Sequence, residues 1–333
     1  MHNLTRRQFV QAALLVGGSA LVGCAPKATA PKVAPLTNLV IKGPQSPGTI
    51  LLAHLAGQEG LKKVVPTVEF GTVKTADQLR AAIAAKELQV AAAPTNVAAN
   101  LYRKGVPLQL INVSVWGTLY VMTASDTIKG WADLKGKNLI VPLKGDIPDL
   151  VFQFLARKAG VELTPTYLAT PTEAMQMLLA GKADAVVLTE PVATAAQIQG
   201  AQKGLNVRPV LDLQAEWGRL TGRAARFPQV GTIAMTTVTK EHPEVIQAIQ
   251  EGMLAAAQWM KANPKEAAAL GEQTLTDLKA PVIERSLTRT PIDVVPAAKA
   301  KAELEFFFTQ LKELSPEIIG GDLPDPGFYY GVK

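Results

Sequence analysis

The chain has 333 residues, a formal net charge of +6, three histidines and one cysteine. This length allows about two domains with sizeable cores, and a 48 % apolar fraction is ordinary for a globular protein. One cysteine excludes a disulfide framework, the histidines have no Cys or His at ligand spacing, and basic residues scattered among acids do not form a nucleic-acid footprint.

At the N-terminus, Thr5-Arg6-Arg7-Gln8-Phe9 leads into the apolar run Val10–Leu21, followed by Val22-Gly23-Cys24. A charged start, a short apolar run and small residues before a cut site form the layout of an export signal. The run of about 12 residues is too short to cross a bilayer core of roughly 30 Å. Leu21-Val22-Gly23-Cys24 resembles the lipobox of bacterial lipoproteins, which implies removal of residues 1–23 and lipidation of Cys24. Thr5–Phe9 also resembles a twin-arginine export motif. Residues 24–36, with three prolines, read as the lipidated cysteine and an extended tether of roughly 35 Å.

The body opens with a strand at Asn38–Ile41 and a helix from Pro47. A strand over Val64–Phe70 precedes a capping box at Thr75–Gln78 with its helix, and a third strand, Leu88–Ala93, stops at Pro94. Alternating strands and helices predict an α/β fold with mostly parallel sheets. Leu108–Ser125 is too long for one ordinary strand, so the chain is expected to pass there from one sheet to another, with Gly117 at the passage.

A second alternating block follows: strand Leu139–Val141, helix Ile147–Ala159, strand Thr166–Ala169, a capping box at Thr170–Glu173 with its helix, and strand Ala185–Leu188. Ala84–Val90 is echoed 96 residues later by Ala180–Val186, which suggests two α/β lobes built alike. After a polar stretch, Gln214–Gln229, the run Gly231–Val238 is expected to return the chain to the first lobe. Helices at His242–Ala262, Pro264–Gly271, Pro281–Thr288 and Ala297–Leu314 follow, and the tail from Gly320 is expected to wrap the surface. Two crossings divide the body into lobe 1, residues 37–115 plus 235–333, and lobe 2, residues 116–234, with a cleft between them.

Trp131–Lys137 leading into a strand, Leu178–Ala185, and Glu190-Pro191, in this order behind the lipobox-like segment, resemble the substrate-binding lipoproteins of bacterial ABC importers. The resemblance runs from Leu36 to Leu314 and is closest to the branch for nitrate, sulfonate, taurine and thiamine-precursor uptake. It implies a two-lobed type II periplasmic-binding-protein fold, with a mostly parallel sheet flanked by helices in each lobe and a hinge closing around a small solute. It also implies a membrane permease as partner, a lipid anchor in a bacterial membrane, an extracytoplasmic location and a monomer. No catalytic residues, cofactor, metal or nucleic acid are expected. The competing readings are an enzyme on the same fold, similar to thiamine-precursor synthases, and an anchored solute sensor. The absence of a cysteine cluster or a plausible Ser-His-Asp set weighs against the enzyme.

Loops at the carboxyl ends of strands supply the candidate ligand contacts. Gln45 and Ser46 follow the first strand and either meet the solute or form an ordinary turn. Thr95 and Asn96 follow the third strand, and Thr95 either binds solute or caps the next helix. Trp116 either stacks on a planar solute or packs the hinge. Lys144 and Asp146 precede a helix N-terminus near Asp149, and Lys144 either offsets these acids or is solvated. Glu190 is the sharpest candidate, a carboxylate suited to an amine, a ring N–H or a hydroxyl. With acids outnumbering Lys144 and no arginine in these loops, the charge balance favours a neutral or amine-bearing solute.

Overall fold

A computed structural model describes residues 34–73, 76–275 and 278–332. The export signal, Cys24, most of the tether, and Thr75 of the first capping box lie outside the described residues. Among the described residues, no helix is long and apolar enough to cross a membrane.

The chain runs β1 (Asn38–Gly43), α1 (Pro47–Gly57), α2 (Glu59–Lys62), β2 (Thr67–Thr72), α3 (Ala76–Ala84), β3 (Val90–Pro94), α4 (Thr95–Arg103) and β4 (Leu108–Val115). It then crosses into β5 (Leu119–Thr123), β6 (Leu139–Pro142), α5 (Ile147–Lys158), β7 (Thr166–Leu168), α6 (Pro171–Leu179), β8 (Ala185–Thr189), α7 (Val192–Gln202), β9 (Arg208–Asp212) and α8 (Leu213–Thr221). It returns through β10 (Val230–Met235), α9 (Thr236–Glu241), α10 (Pro243–Ala262), α11 (Pro264–Thr274), α12 (Ala280–Leu287), β11 (Ile292–Pro296) and α13 (Ala297–Leu314).

The strands form two sheets, ordered β11-β4-β10-β3-β1-β2 and β7-β6-β8-β5-β9. β1, β2 and β3 run parallel in the first sheet and β6, β7 and β8 in the second, and the strand arriving from the other sheet inserts antiparallel beside the last of each trio: β10 against β3 and β5 against β8. The sheets are therefore mixed, although most of their strands run one way. The echoed segments lead into β3 and β8, the last strand of each parallel trio. At Thr170 the capping box forms as read, with the Thr170 hydroxyl accepting from the Glu173 N–H and the Glu173 carboxylate accepting from the Thr170 N–H.

Several boundaries differ from the sequence expectation. β2 starts at Thr67 because the short α2 occupies Glu59–Lys62 and Val65 is buried behind it. The polar stretch after Asp212 contains α8, because the Asp212 carboxylate caps Gln214 N and Ala215 N while Leu213 and Trp217 are buried one turn apart. β10 lies wholly in the first sheet, so the return crossing falls before Val230, not at residue 235. The C-terminal tail does more than wrap the surface: Phe328 and Tyr329 are fully buried and Tyr330 N donates to Leu110 O. Burying two aromatic rings outweighs leaving this segment on the outside.

One apolar cluster runs through both sheets. At its centre Trp217 of α8 meets Phe227 and, on α13, Phe307, each at 5.6 Å between ring centroids, and Phe227 stacks on Phe307. The return strand packs closely enough to demand glycine at one position. A Cβ on Gly231 would lie 2.4 Å from Asn112 O and 2.7 Å from Leu110 Cδ1. The carbonyl belongs to β4 and cannot withdraw without spreading the ladder, so Gly231→Ala is expected to cost about 2 kcal/mol in urea unfolding. Unchanged stability would show that β4 and β10 separate freely.

Candidate functional site

The carboxyl ends of β1 and β3 in the first sheet and of β6 and β8 in the second carry the loops singled out by sequence. They converge on the two crossings. Trp116 N donates to Pro291 O, Leu119 N to the Gln214 side chain, and the Thr118 hydroxyl to Gln229 Oε1. Gly117, at φ +83°, lies against Gln214, where a Cβ would meet Cγ at 2.6 Å. The glycine is needed both for the left-handed backbone and for this approach.

Asn96 and Asp146 meet directly, with Asn96 Nδ2 donating to Asp146 Oδ1 at 3.0 Å. This bond joins the β3 end to the β6 end, one sheet to the other. Asp146 also caps α5 through Ile147 N. Asn96 is fully buried, and its Oδ1 has no hydrogen-bond partner among the described residues. Asp149 is buried, accepting from Gly145 N and Gln153 Nε2.

Other candidates are already engaged. Thr95 neither caps α4 nor stays free, since its hydroxyl donates to Pro228 O at 2.6 Å and its N–H to Gln229 O, tying the β3 end to the return crossing. Trp116 is fully buried, its indole N–H bonded to Asp293 O at 2.7 Å and its ring beneath the Arg226 guanidinium at 4.0 Å. Arg226 is held in turn by Glu303 and Asp293. Trp116 is thus packed into the outgoing crossing with its ring covered by Arg226. Gln45 reaches Thr274 O at 3.4 Å, and Ser46 stands before α1, with its hydroxyl 3.4 Å from that of Thr49. Lys144 is exposed and leans over the Tyr167 ring. Beside it, Leu143 holds a left-handed φ of 58° and leaves an apolar side chain 37 % exposed. Such backbone strain in a non-glycine residue concentrates at functional sites.

Glu190 is not the free carboxylate expected. Its side chain is fully buried, with Oε1 3.2 Å from Arg289 Nε and Oε2 accepting from Thr194 N at 3.1 Å. Arg289 Nη1 donates to Gln197 Oε1 at 2.6 Å, and the guanidinium lies 4.3 Å above the Tyr120 ring. Burial pushes the Glu190 carboxyl above its ordinary range, while Arg289, the Thr194 bonds and Arg285 pull it back. Arg285 in the last turn of α12 and Arg289 just past its end bring positive charge towards Glu190 that the strand-end loops themselves lack. They lie far downstream of the strand-end loops. Their only signal was a spaced arginine pair just before Thr290-Pro291. With them present, the charge argument for a neutral or amine-bearing solute no longer holds.

Replacing Arg289 by Gln leaves a buried carboxyl without its counter-charge and moves its folded pKa further above the unfolded value. A carboxyl so shifted supports the fold while protonated and loses that support as pH rises through the folded pKa. The Arg289→Gln penalty in denaturant unfolding is therefore expected to reach ~3 kcal/mol at about pH 7.5 and to be clearly smaller at about pH 4. A penalty independent of pH would mean that the ion pair carries no such coupling.

Comparison with known proteins agrees with this geometry. No curated protein matches the chain. Among solved structures, an ABC transporter protein from Parabacteroides distasonis is 25 % identical, with a TM-score of 0.74 over 88 % of this chain and 98 % of that one. The periplasmic aliphatic sulphonate-binding protein SsuA of Escherichia coli is 20 % identical, with a TM-score of 0.71 over 89 % and 98 %. A conserved Candida albicans gene product with the generic periplasmic binding protein fold is 14 % identical, with a TM-score of 0.56 over 87 % and 92 %. The model of the family described as NMT1/THI5 like matches residues 67–267, more than half of the sequence, and the chain belongs to that family, its body built on the periplasmic-binding-protein fold.

Proposed function

We propose that this protein is the solute-binding component of an ABC-type importer, taking a small organic solute between two lobes outside the cytoplasm and handing it to a membrane permease. The observation that carries this reading is the Asn96–Asp146 bond, which joins strand-end loops of the two sheets beside a buried amide oxygen with no partner among the described residues. A polar atom so placed is costly unless something donates to it, and a solute is the natural donor in a cleft at strand carboxyl ends. The lobes close about the two crossings, a hinge motion that lets the permease distinguish loaded from empty protein. Cys24, lipidated, anchors the body to the membrane, and the proline-bearing segment after it serves as the tether.

The protein acts by binding rather than catalysis on this reading. The groups gathered at the strand ends are an amide, carboxylates, hydroxyls and guanidiniums engaged with one another, and His54 lies elsewhere, stacked on Trp259 between α1 and α10. Arg289 pairs with Glu190 and offsets its charge, so the solute is not restricted to an amine. The related fold of a sulphonate-binding protein puts sulfonates first on the panel to be screened.

A thermal-shift screen of sulfonates, oxyanions, amino acids and pyrimidines is expected to find one class that raises the melting temperature, equivalent to ~2.7 kcal/mol at about 100 times Kd. Asn96→Ala should weaken that solute about tenfold. Turnover of the solute, or no response from any class, would contradict the reading.

A further inference from the structure

Arg289 belongs by chain position to the segment re-entering the first sheet, in the turn between α12 and β11. Its side chain nevertheless works entirely on the second. Nε faces Glu190 at the end of β8, Nη1 bonds Gln197 on α7, and the guanidinium covers Tyr120 on β5. The backbone of the turn is anchored too: Arg289 O accepts from the Tyr120 hydroxyl at 3.1 Å, and Pro291 O accepts from Trp116 N at 3.0 Å, at the outgoing crossing. α12 itself packs against both α11 and α7. The two engaged guanidinium nitrogens reach two different elements, and the planar fork holds both directions at once where an ammonium offers a single point of charge. Asn96–Asp146 forms a second, separate link between the sheets.

We propose that Arg289 is a positioning residue that holds the two lobes together in the solute-free protein and fixes the Glu190 carboxylate at the cleft. This rests on the two-lobed reading of the body. Contacts that join the lobes without the solute lower the free energy of closure that the solute must supply. Arg289 acts through Glu190 and Gln197, so its replacement alters closure even for a solute that never touches it.

The test is small-angle X-ray scattering of the solute-free full chain. Arg289→Ala and Glu190→Gln are expected to increase the radius of gyration by roughly 1 Å over the ~20 Å of a compact body of this length. Arg289→Lys, which keeps the charge on one nitrogen but not the fixed fork, should fall between wild type and Arg289→Ala. Arg208→Ala is the control, removing an arginine that bonds Ser125 O and Ile128 O within the second lobe, and should leave the radius unchanged. If Arg289→Ala does not fold, Glu190→Gln, nearly isosteric, decides alone. Wild-type radii in the folded variants, or an equal increase in Arg208→Ala, would overturn the proposal. No solute is present, so that result would leave the solute-binding reading standing.

Discussion

The passage of the chain between its two sheets is the constraint on which the rest of this body depends. Val115–Leu119 leads out and Pro228–Val230 leads back, and both stretches are pinned by hydrogen bonds from outside themselves: Pro291 and Asp293 on Trp116, Gln214 on Leu119, Thr95 on Pro228 and Gln229. Because the return crossing enters beside the end of β3 and the outgoing one beside the end of β8, they bring these two carboxyl ends towards each other. The site follows from topology before any side chain is considered.

Two kinds of contact join the sheets, and they suit different tasks. The aromatic cluster of Trp217, Phe227 and Phe307 is apolar, and separating it would expose large rings to water. The Asn96–Asp146 bond and the Arg289 contacts are polar, and water can replace them at small net cost when the cleft opens. An apolar brace with polar links suits a hinge that must stay assembled yet change its opening. Glu190 shows the balance: burial opposes its charge, and Arg289 offsets that penalty only while the sheets stay together.

Much of the fold was legible in the sequence because its signals are local. The capping box at Thr170, the proline stops, the long extended run broken at Gly117 and the echo leading into β3 and β8 each reside in a few adjacent residues. The candidate site was legible as a set of loops but not as chemistry. Nothing near Glu190 in sequence announces Arg289, and the indole of Trp116 reads the same whether its ring meets a solute or Arg226. Leu143 escaped notice because a leucine gives no sign of a left-handed backbone; only the turn after β6 imposes it. α8 was hidden because its buried face comprises few residues amid polar ones.

The most direct measurement is a crystal structure with the solute that most stabilises the protein. The account predicts density enclosed by Ser46 and Asn96 on one side and by Leu143, Asp146 and Glu190 on the other. It is contradicted if the solute lies elsewhere, for instance in the cavity of about 500 Å³ beside Pro243, Gln247, Leu254 and Tyr330.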